Sequence, residues 1–294
     1  MTTRKLQFFI FFCLGILLTG FSGWLVYHAF QPVTHFNGQR AYQDVLAQVS
    51  FGARTPGSVA HAQTIDYIQQ ELEKAGWNVQ IQATEWQGFS VQNIIASRSK
   101  VTPRIIVGAH YDSRLLADQD PVPGRNGPVP GANDGASGVA VLLELARTLP
   151  SGSVPVWLVF FDAEDNGGLD NRQWIMGSRS FVAALTEKPQ AAVIVDMVGD
   201  ADLNLYIERN SDAALTAEIW AHAAALGYKK NFIATPKYAM LDDHTPFLEA
   251  GIPAVDIIDF DYPYWHTAAD TVDKVSAQSL QAVGETLWAW LESQ

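Results

Sequence analysis

The sequence predicts an α/β fold whose sheet is covered on both faces, and three observations lead there. Strand-like and helix-like runs alternate along the chain. Several of the strand runs, VPVWLVFF and AAVIVDMVG among them, are apolar throughout rather than on one side only. From about residue 40 the composition is steady, with no linker, repeat or low-complexity tract, so one sheet has to serve the whole body.

The elements follow in order. SVAHAQTIDYIQQELEKAG has helical apolar spacing and ends at Gly76. WNVQIQATEW, NIIASR and RIIVGAHYDS read as strands. GASGVAVLLELARTL reads as a helix, VPVWLVFF as a buried strand and GSRSFVAALT as a helix. AAVIVDMVG and LNLYIER are expected to be strands and AALTAEIWAHAAALG a helix. IPAVDIID is a further strand, and SAQSLQAVGETLWAWLESQ closes the chain as a helix. RLLADQDPVPGRNGPVP, rich in proline and glycine, is a loop that either borders a cleft or is bland surface.

Composition narrows the function. The 294 residues, 48% apolar and 17% charged, suffice for one large domain or two small ones. A net charge of −12 with no basic stretch argues against nucleic acid as a partner. Residues 1–5, MTTRK, precede an uncharged run over 6–27, LQFFIFFCLGILLTGFSGWLVY, long enough to cross a bilayer as a helix. Arg4 and Lys5 place the N-terminus on the cytoplasmic side and the remainder on the periplasmic or extracellular side. A cleaved signal peptide, giving a secreted protein, is the rival reading; the length of the run and the lack of an A-x-A site favour an uncleaved anchor. Residues 28–39 read as a tether and 40–294 as the catalytic domain. The single cysteine, Cys13, lies in the apolar run, so the exported part has neither a disulfide nor a thiol nucleophile.

The buried strands end in chemistry. VWLVFFDAED leaves the core at Asp162, Glu164 and Asp165; RIIVGAHYD ends at His110 and Asp112; AAVIVD ends at Asp196. Asp134 stands at the mouth of a helix in GANDGASG, and His266 follows the last strand in PYWHTAAD. Sites on such sheets lie beyond the carboxyl ends of the strands. So many carboxylates in one cleft would repel each other and lift their pKa values, which a cation resolves. With oxygen and nitrogen donors and no available thiolate, His110, Asp134, Asp165, Asp196 and His266 suit zinc. Asp162 is expected to be structural, His244 a hydrogen-bonded loop histidine, Asp200 and Asp202 a solvated loop, His222 a surface residue, and Asp270 a cap of the turn that follows it.

In this order, GAHYDS, GANDGASG, FFDAED, VIVDMVG, DDHTPF and YWHTAAD resemble the zinc aminopeptidase and type II glutaminyl cyclase superfamily, over about residues 40–294. The resemblance implies a three-layer α/β/α sandwich around a mixed, mostly parallel sheet. In its aminopeptidases two zinc ions are held by the counterparts of His110, Asp134, Asp165, Asp196 and His266, and the match of Glu164 is the general base on the attacking water. In its cyclases one zinc is held by the matches of Asp134, Asp165 and His266. Glu164, Asp196 and Asp242 then match a hydrogen-bonded acid network, and Asp112 matches the residue that orients the histidine.

Trp265 directly before His266, the two acids of DDHTPFLEAGIPAV and the W-x-x-GS of WIMGSRSF, with Trp174 as a second pocket wall, resemble the cyclases more closely. Asp165 departs from the more common Glu, and Asp256 stands where animal cyclases carry His. The resemblance therefore implies a glutaminyl-peptide cyclotransferase acting on peptide or protein N-termini. Zinc would be the Lewis acid and Glu164 the general acid and base. The alternative is a zinc exopeptidase hydrolysing the first peptide bond. A binding module that has lost turnover is disfavoured, because Glu164 and every ligand position are present.

Overall fold

The computed structural model describes residues 35–99 and 101–294. The segment 6–27 expected to cross the membrane lies outside the described residues, among which no helix is long and apolar enough to do so.

The chain runs α1 (Gly38–Ser50), α2 (Val59–Lys74), β1 (Asn78–Trp86), β2 (Phe89–Ser97), β3 (Ile105–His110), α3 (Ala136–Thr148), β4 (Val156–Phe161), α4 (Met176–Ala183), β5 (Ala191–Asp196), β6 (Leu205–Ile207), α5 (Ala213–Ala225), β7 (Phe232–Pro236), α6 (Thr245–Glu249), β8 (Ala254–Ile258), a 3₁₀ turn at Val272–Lys274 and α7 (Ala277–Glu292). Six strands form one mixed sheet in the order β1-β2-β4-β3-β5-β8. β1, β2 and β4 pair antiparallel, while β4, β3, β5 and β8 run parallel.

The wholly apolar strands are explained by two cores. Ile105, Val107, Leu158, Phe160, Val193, Val195, Val255 and Ile257 face one, together with residues of α1, α2, α3, α5 and α7. Ile106, Val159, Phe161, Ala192, Ile194 and Ala254 face the other, with Phe181 of α4 and Phe247 of α6. A strand with an apolar layer on each side has no polar face to show. The sheet is thus the middle of three layers.

Register brings the strand ends level. His110 pairs with Phe161, Gly108 with Ile194 and Asp196 with Ile258. The helix after β3 packs on one face and the helix after β4 on the other, so the connections diverge around these ends and open a crevice.

Three expectations are corrected. The folded body starts inside the proposed tether: Phe36 is 1% exposed in the core, and Asn37 caps α1 by accepting from the Arg40 amide. LNLYIER contributes only the three-residue β6, which pairs in a separate two-stranded sheet with β7, a strand not anticipated. Asp200 is buried rather than solvated, and the hydroxyl of Ser279 donates to its carbonyl.

Phe36 packs so tightly on Gly284 that a Cβ there would lie 2.1 Å from the ring. Phe36→Ala is therefore expected to cost about 3–5 kcal/mol of unfolding free energy in urea titration. Residue 36 in a free tether would give no change.

Candidate active site

Each candidate side chain is delivered by a strand end or a loop with a specific backbone. His110 ends β3 and Asp196 ends β5. After β4 the chain turns sharply at Ala163 (φ 52°), which presents Glu164 and Asp165. Met197 (φ 46°), next to Asp196, and His266 itself (φ 55°) are also left-handed. These conformations cost non-glycine residues about 1–3 kcal/mol each and persist only where surrounding bonds impose them. Gly135 (φ 92°), after Asp134, has to be glycine for a further reason: a Cβ would lie 2.6 Å from the Asp112 carbonyl and 3.1 Å from the His110 ring.

The expected residues converge. His110 Nε2 lies 3.2 Å from Asp134 Oδ1 and 3.1 Å from Asp196 Oδ1. His266 Nε2 lies 2.7 Å from Asp165 Oδ1 and 3.8 Å from Asp134 Oδ2. Asp134 therefore stands between two groups, His110–Asp134–Asp196 and Asp134–Asp165–His266, each with candidate ligand atoms within 4.8 Å of one another. Asp112 sits behind them. It accepts from the amides of Glu164 (3.0 Å) and Asp165 (3.3 Å) and from Asn166 Nδ2 (3.0 Å), and faces His110 Nδ1 at 3.5 Å.

The charges are in conflict. Burial lifts Asp165 to about 7, with Asp134 adding repulsion and His266 opposing it. Asp134 is held low despite burial, because His110 bonds to it and His110, His266 and Arg54 attract its charge. Burial likewise raises Asp196, lifts Asp242 to about 7 with the charge of Asp196 adding, and pushes Glu164 well up. Asp165, Asp242 and Asp243 push Glu164 in the same direction, against the pull of His110.

The donor set fits a metal. Asp134 Oδ2 and Asp165 Oδ2 are buried without a hydrogen-bond partner, and both lie in the group that contains His266. Two carboxylates and an imidazole around such orphaned oxygens suit zinc, and His110 with Asp196 could complete a second position.

A cleft of about 200 Å³ opens on this group. Its acidic end holds Asp134, Glu164, Asp165, Asp196 and Asp242, and Met197, Met240, Ile258 and Phe260 line its apolar side. Trp174 and Trp265 form its walls, with Trp265 stacked on the His266 ring at 3.8 Å and Trp174 parallel to it (8°) at 6.0 Å. Gly167 makes room for Trp174, since a Cβ there would lie 2.2 Å from the indole.

A model described as Peptidase family M28 matches residues 93–291. The chain belongs to peptidase family M28. Among solved structures, Porphyromonas gingivalis glutaminyl cyclase is similar at 34% identity and a TM-score of 0.84, over 89% of this chain and 100% of that one. A Zn-dependent exopeptidase from Parabacteroides distasonis is similar at 31% identity and a TM-score of 0.82, over 88% and 99%. Aminopeptidase YwaD of Bacillus subtilis is 30% identical over 220 residues, 67% of this chain and 43% of YwaD, so the chain spans less than half the length of that relative. The protein is an M28 enzyme, either a cyclotransferase or an aminopeptidase.

Several residues of this M28 site escaped the sequence reading. Arg54, within the FGARTPG stretch, is fully buried and donates to the carbonyls of Tyr111, Pro130, Gly131 and Asp134, bracing the loop that carries Asp134. Asp270 does not cap the turn after it; it accepts from the amides of Asn133 (2.9 Å) and Asp134 (3.1 Å). Asp162 is structural as expected, bonding His61 and the Gln92 amide. His244 is no ordinary loop residue. It is wholly buried at the start of α6, with Glu208 at 3.4 Å and Asp256 at 3.7 Å, and it groups with Asp242 and Asp256. His222 is half-buried on α5 and contacts Ser293.

Titration should expose the charge conflict. Asp165 and Asp242 are lifted to about 7, above the value of about 4 in an unfolded chain. Between those values the folded state binds more protons, so the metal-free protein should lose stability as pH rises from about 4 to 7. The raised His110 and His266 act in the same sense, since their contribution is lost as pH rises through their folded values. Thermal midpoints of chelator-treated protein across this range should fall, and added zinc should flatten the trend.

Proposed function

We propose that the protein is a glutaminyl-peptide cyclotransferase, which converts an N-terminal glutamine to pyroglutamate and releases ammonia. The observation that supports this most is the form of the cleft: a small apolar and aromatic slot, walled by Trp174 and Trp265, ends on a buried acid network rather than a broad polar groove. Its volume suits one side chain.

In this reading Asp134, Asp165 and His266 hold the metal, as the orphaned carboxylate oxygens favour. Zinc bound there would supply Lewis-acid polarisation of the glutamine side-chain amide. The indoles of Trp174 and Trp265 hold the substrate's first residue in a folded pose, and Met197, Ile258 and Phe260 keep water out. The α-amine then attacks the side-chain amide carbon within one molecule, so its effective concentration is very high. A C–N bond forms to the α-nitrogen and the bond to the amide nitrogen breaks. Glu164 takes the proton from the amine and returns one to the departing nitrogen, which leaves as ammonia. Burial and the acids around it raise its proton affinity, which suits both halves of that transfer. Asp196 and Asp242 steady the shared proton.

One observation favours a second reading. His110, Asp134 and Asp196 also form a compact group, which would hold a second metal ion in an aminopeptidase. Glu164 would then deprotonate an attacking water, and the peptide would be shortened. We also infer that residues 6–27 anchor the protein, with the enzyme domain on the periplasmic or extracellular side. Release from membranes by detergent but not by high salt would bear this out.

Gln-initiated peptides should release ammonia without losing a residue, and Ala-initiated peptides should stay intact. Shortening of the Ala peptides reverses the assignment. Glu164→Gln should lower turnover by about 10²–10⁴-fold with the fold retained, measured by ammonia release and circular dichroism.

A further inference from the structure

The proline- and glycine-rich loop beginning at Arg114 packs against His266 at successive positions. Asp118 Oδ1 lies 3.4 Å from His266 Nδ1, a buried ring nitrogen that has no hydrogen-bond partner. The Gln119 amide donates to the His266 carbonyl (3.2 Å), and Asp120 Oδ2 accepts from the Ala268 amide (3.0 Å). Three consecutive residues thus face the ring and hold the backbone and the following turn of a histidine in left-handed conformation.

Arg114 braces the arrangement. Its Nε and Nη2 donate to the two oxygens of Asp118 at 2.9 and 2.6 Å. Its Nη1 donates to the Asp165 carbonyl at 2.8 Å. The guanidinium lies 4.7 Å above Trp174, the indole parallel to the His266 ring. One arginine therefore touches the aspartate that faces His266, the backbone of Asp165 and a wall of the cleft.

We propose that Asp118, held by Arg114, is a positioning residue for His266. It would accept the Nδ1 hydrogen of a metal-loaded His266 and so leave the Nε2 lone pair to the position between Asp134 and Asp165; without metal, Nε2 shares a proton with Asp165 Oδ1 at 2.7 Å. A carboxylate behind a ligating imidazole fixes its tautomer and ring orientation and strengthens it as a ligand. Nε2 is the atom facing Asp165 and Asp134, which makes Nδ1 the one to be fixed. The inference rests on the metal reading above in its consequence, though not in its geometry.

Two readouts test it on the full chain. Zinc affinity, by competition with a chromophoric chelator, should weaken about 10–100-fold in Asp118→Ala. The loss should be smaller in Asp118→Asn, whose amide oxygen still accepts. The metal-free thermal midpoint should fall somewhat in Asp118→Ala, which strips the buried Arg114 of its partner, and less in Asp118→Asn, so affinities are compared on protein shown folded by circular dichroism. In the zinc-loaded protein, ¹H–¹⁵N NMR should show the His266 Nδ1 hydrogen far downfield and slow to exchange, as expected for one held by a carboxylate, and Asp118→Ala should lose both features. Unchanged zinc affinity together with an unchanged Nδ1 signal would overturn the proposal, as would a fall in metal-free stability alone, which marks mere loop packing. Should the parent bind no zinc, the metal reading fails and this proposal with it; a parent that binds zinc no more tightly than Asp118→Ala sinks this proposal alone.

Discussion

The structure turns on a crowd of carboxylates buried at one edge of a sheet. Asp134, Glu164, Asp165, Asp196, Asp242, Asp243 and Asp256 are all nearly inaccessible to water. Taking one such charge out of water costs several kcal/mol unless it is paired. The pairing within the protein is incomplete: Arg54 spends its hydrogen bonds on carbonyls, and Arg114 holds Asp118. Protons shared among the acids, or a bound cation, have to close the balance. Candidates for both lie in one place: the group around Asp134, whose donors could hold a metal, and Glu164 with its raised proton affinity.

The scaffold tolerates this because the rest of it is conventional. Two apolar layers bury both faces of the sheet and leave polar chemistry only at the strand ends. The strain follows the same geography. Ala163, Met197 and His266 take left-handed backbones at or beside Glu164, Asp196 and a metal-ligand candidate. A strand leaving a packed sheet continues straight on unless something turns it, and these turns point the side chains inward. Arg54, Asp112, Asp270 and the Arg114–Asp118 pair hold the turns in place from behind.

Much of this was legible in the sequence, and the reason is local. An apolar run of six residues that stops at Asp or His declares both the strand and the direction in which its last side chain emerges, so β3, β4 and β5 and their site residues could be read directly. What escaped was settled by contacts far apart along the chain. α1 carries Asp44 and a mixed surface, and its spacing does not announce a helix; Arg147 reaching across from α3 to bond Asp44 ties it to the body. Arg54 looks like an ordinary surface arginine, and only the folded backbone surrounds it with carbonyls. Asp270 serves residues 136 and 137 positions away, for which no spacing rule exists. β7 is too short to show a period. Cyclase and aminopeptidase diverge in metal number and in what enters the cleft, neither of which a motif states.

We propose that anionic side chains from neighbouring strands gather around a bound transition metal. The most direct test is anomalous diffraction at the zinc edge from crystals of the zinc-loaded protein. The account requires a strong anomalous peak bounded by Asp134, Asp165 and His266. A peak elsewhere, or none there at full zinc occupancy in solution, would contradict it.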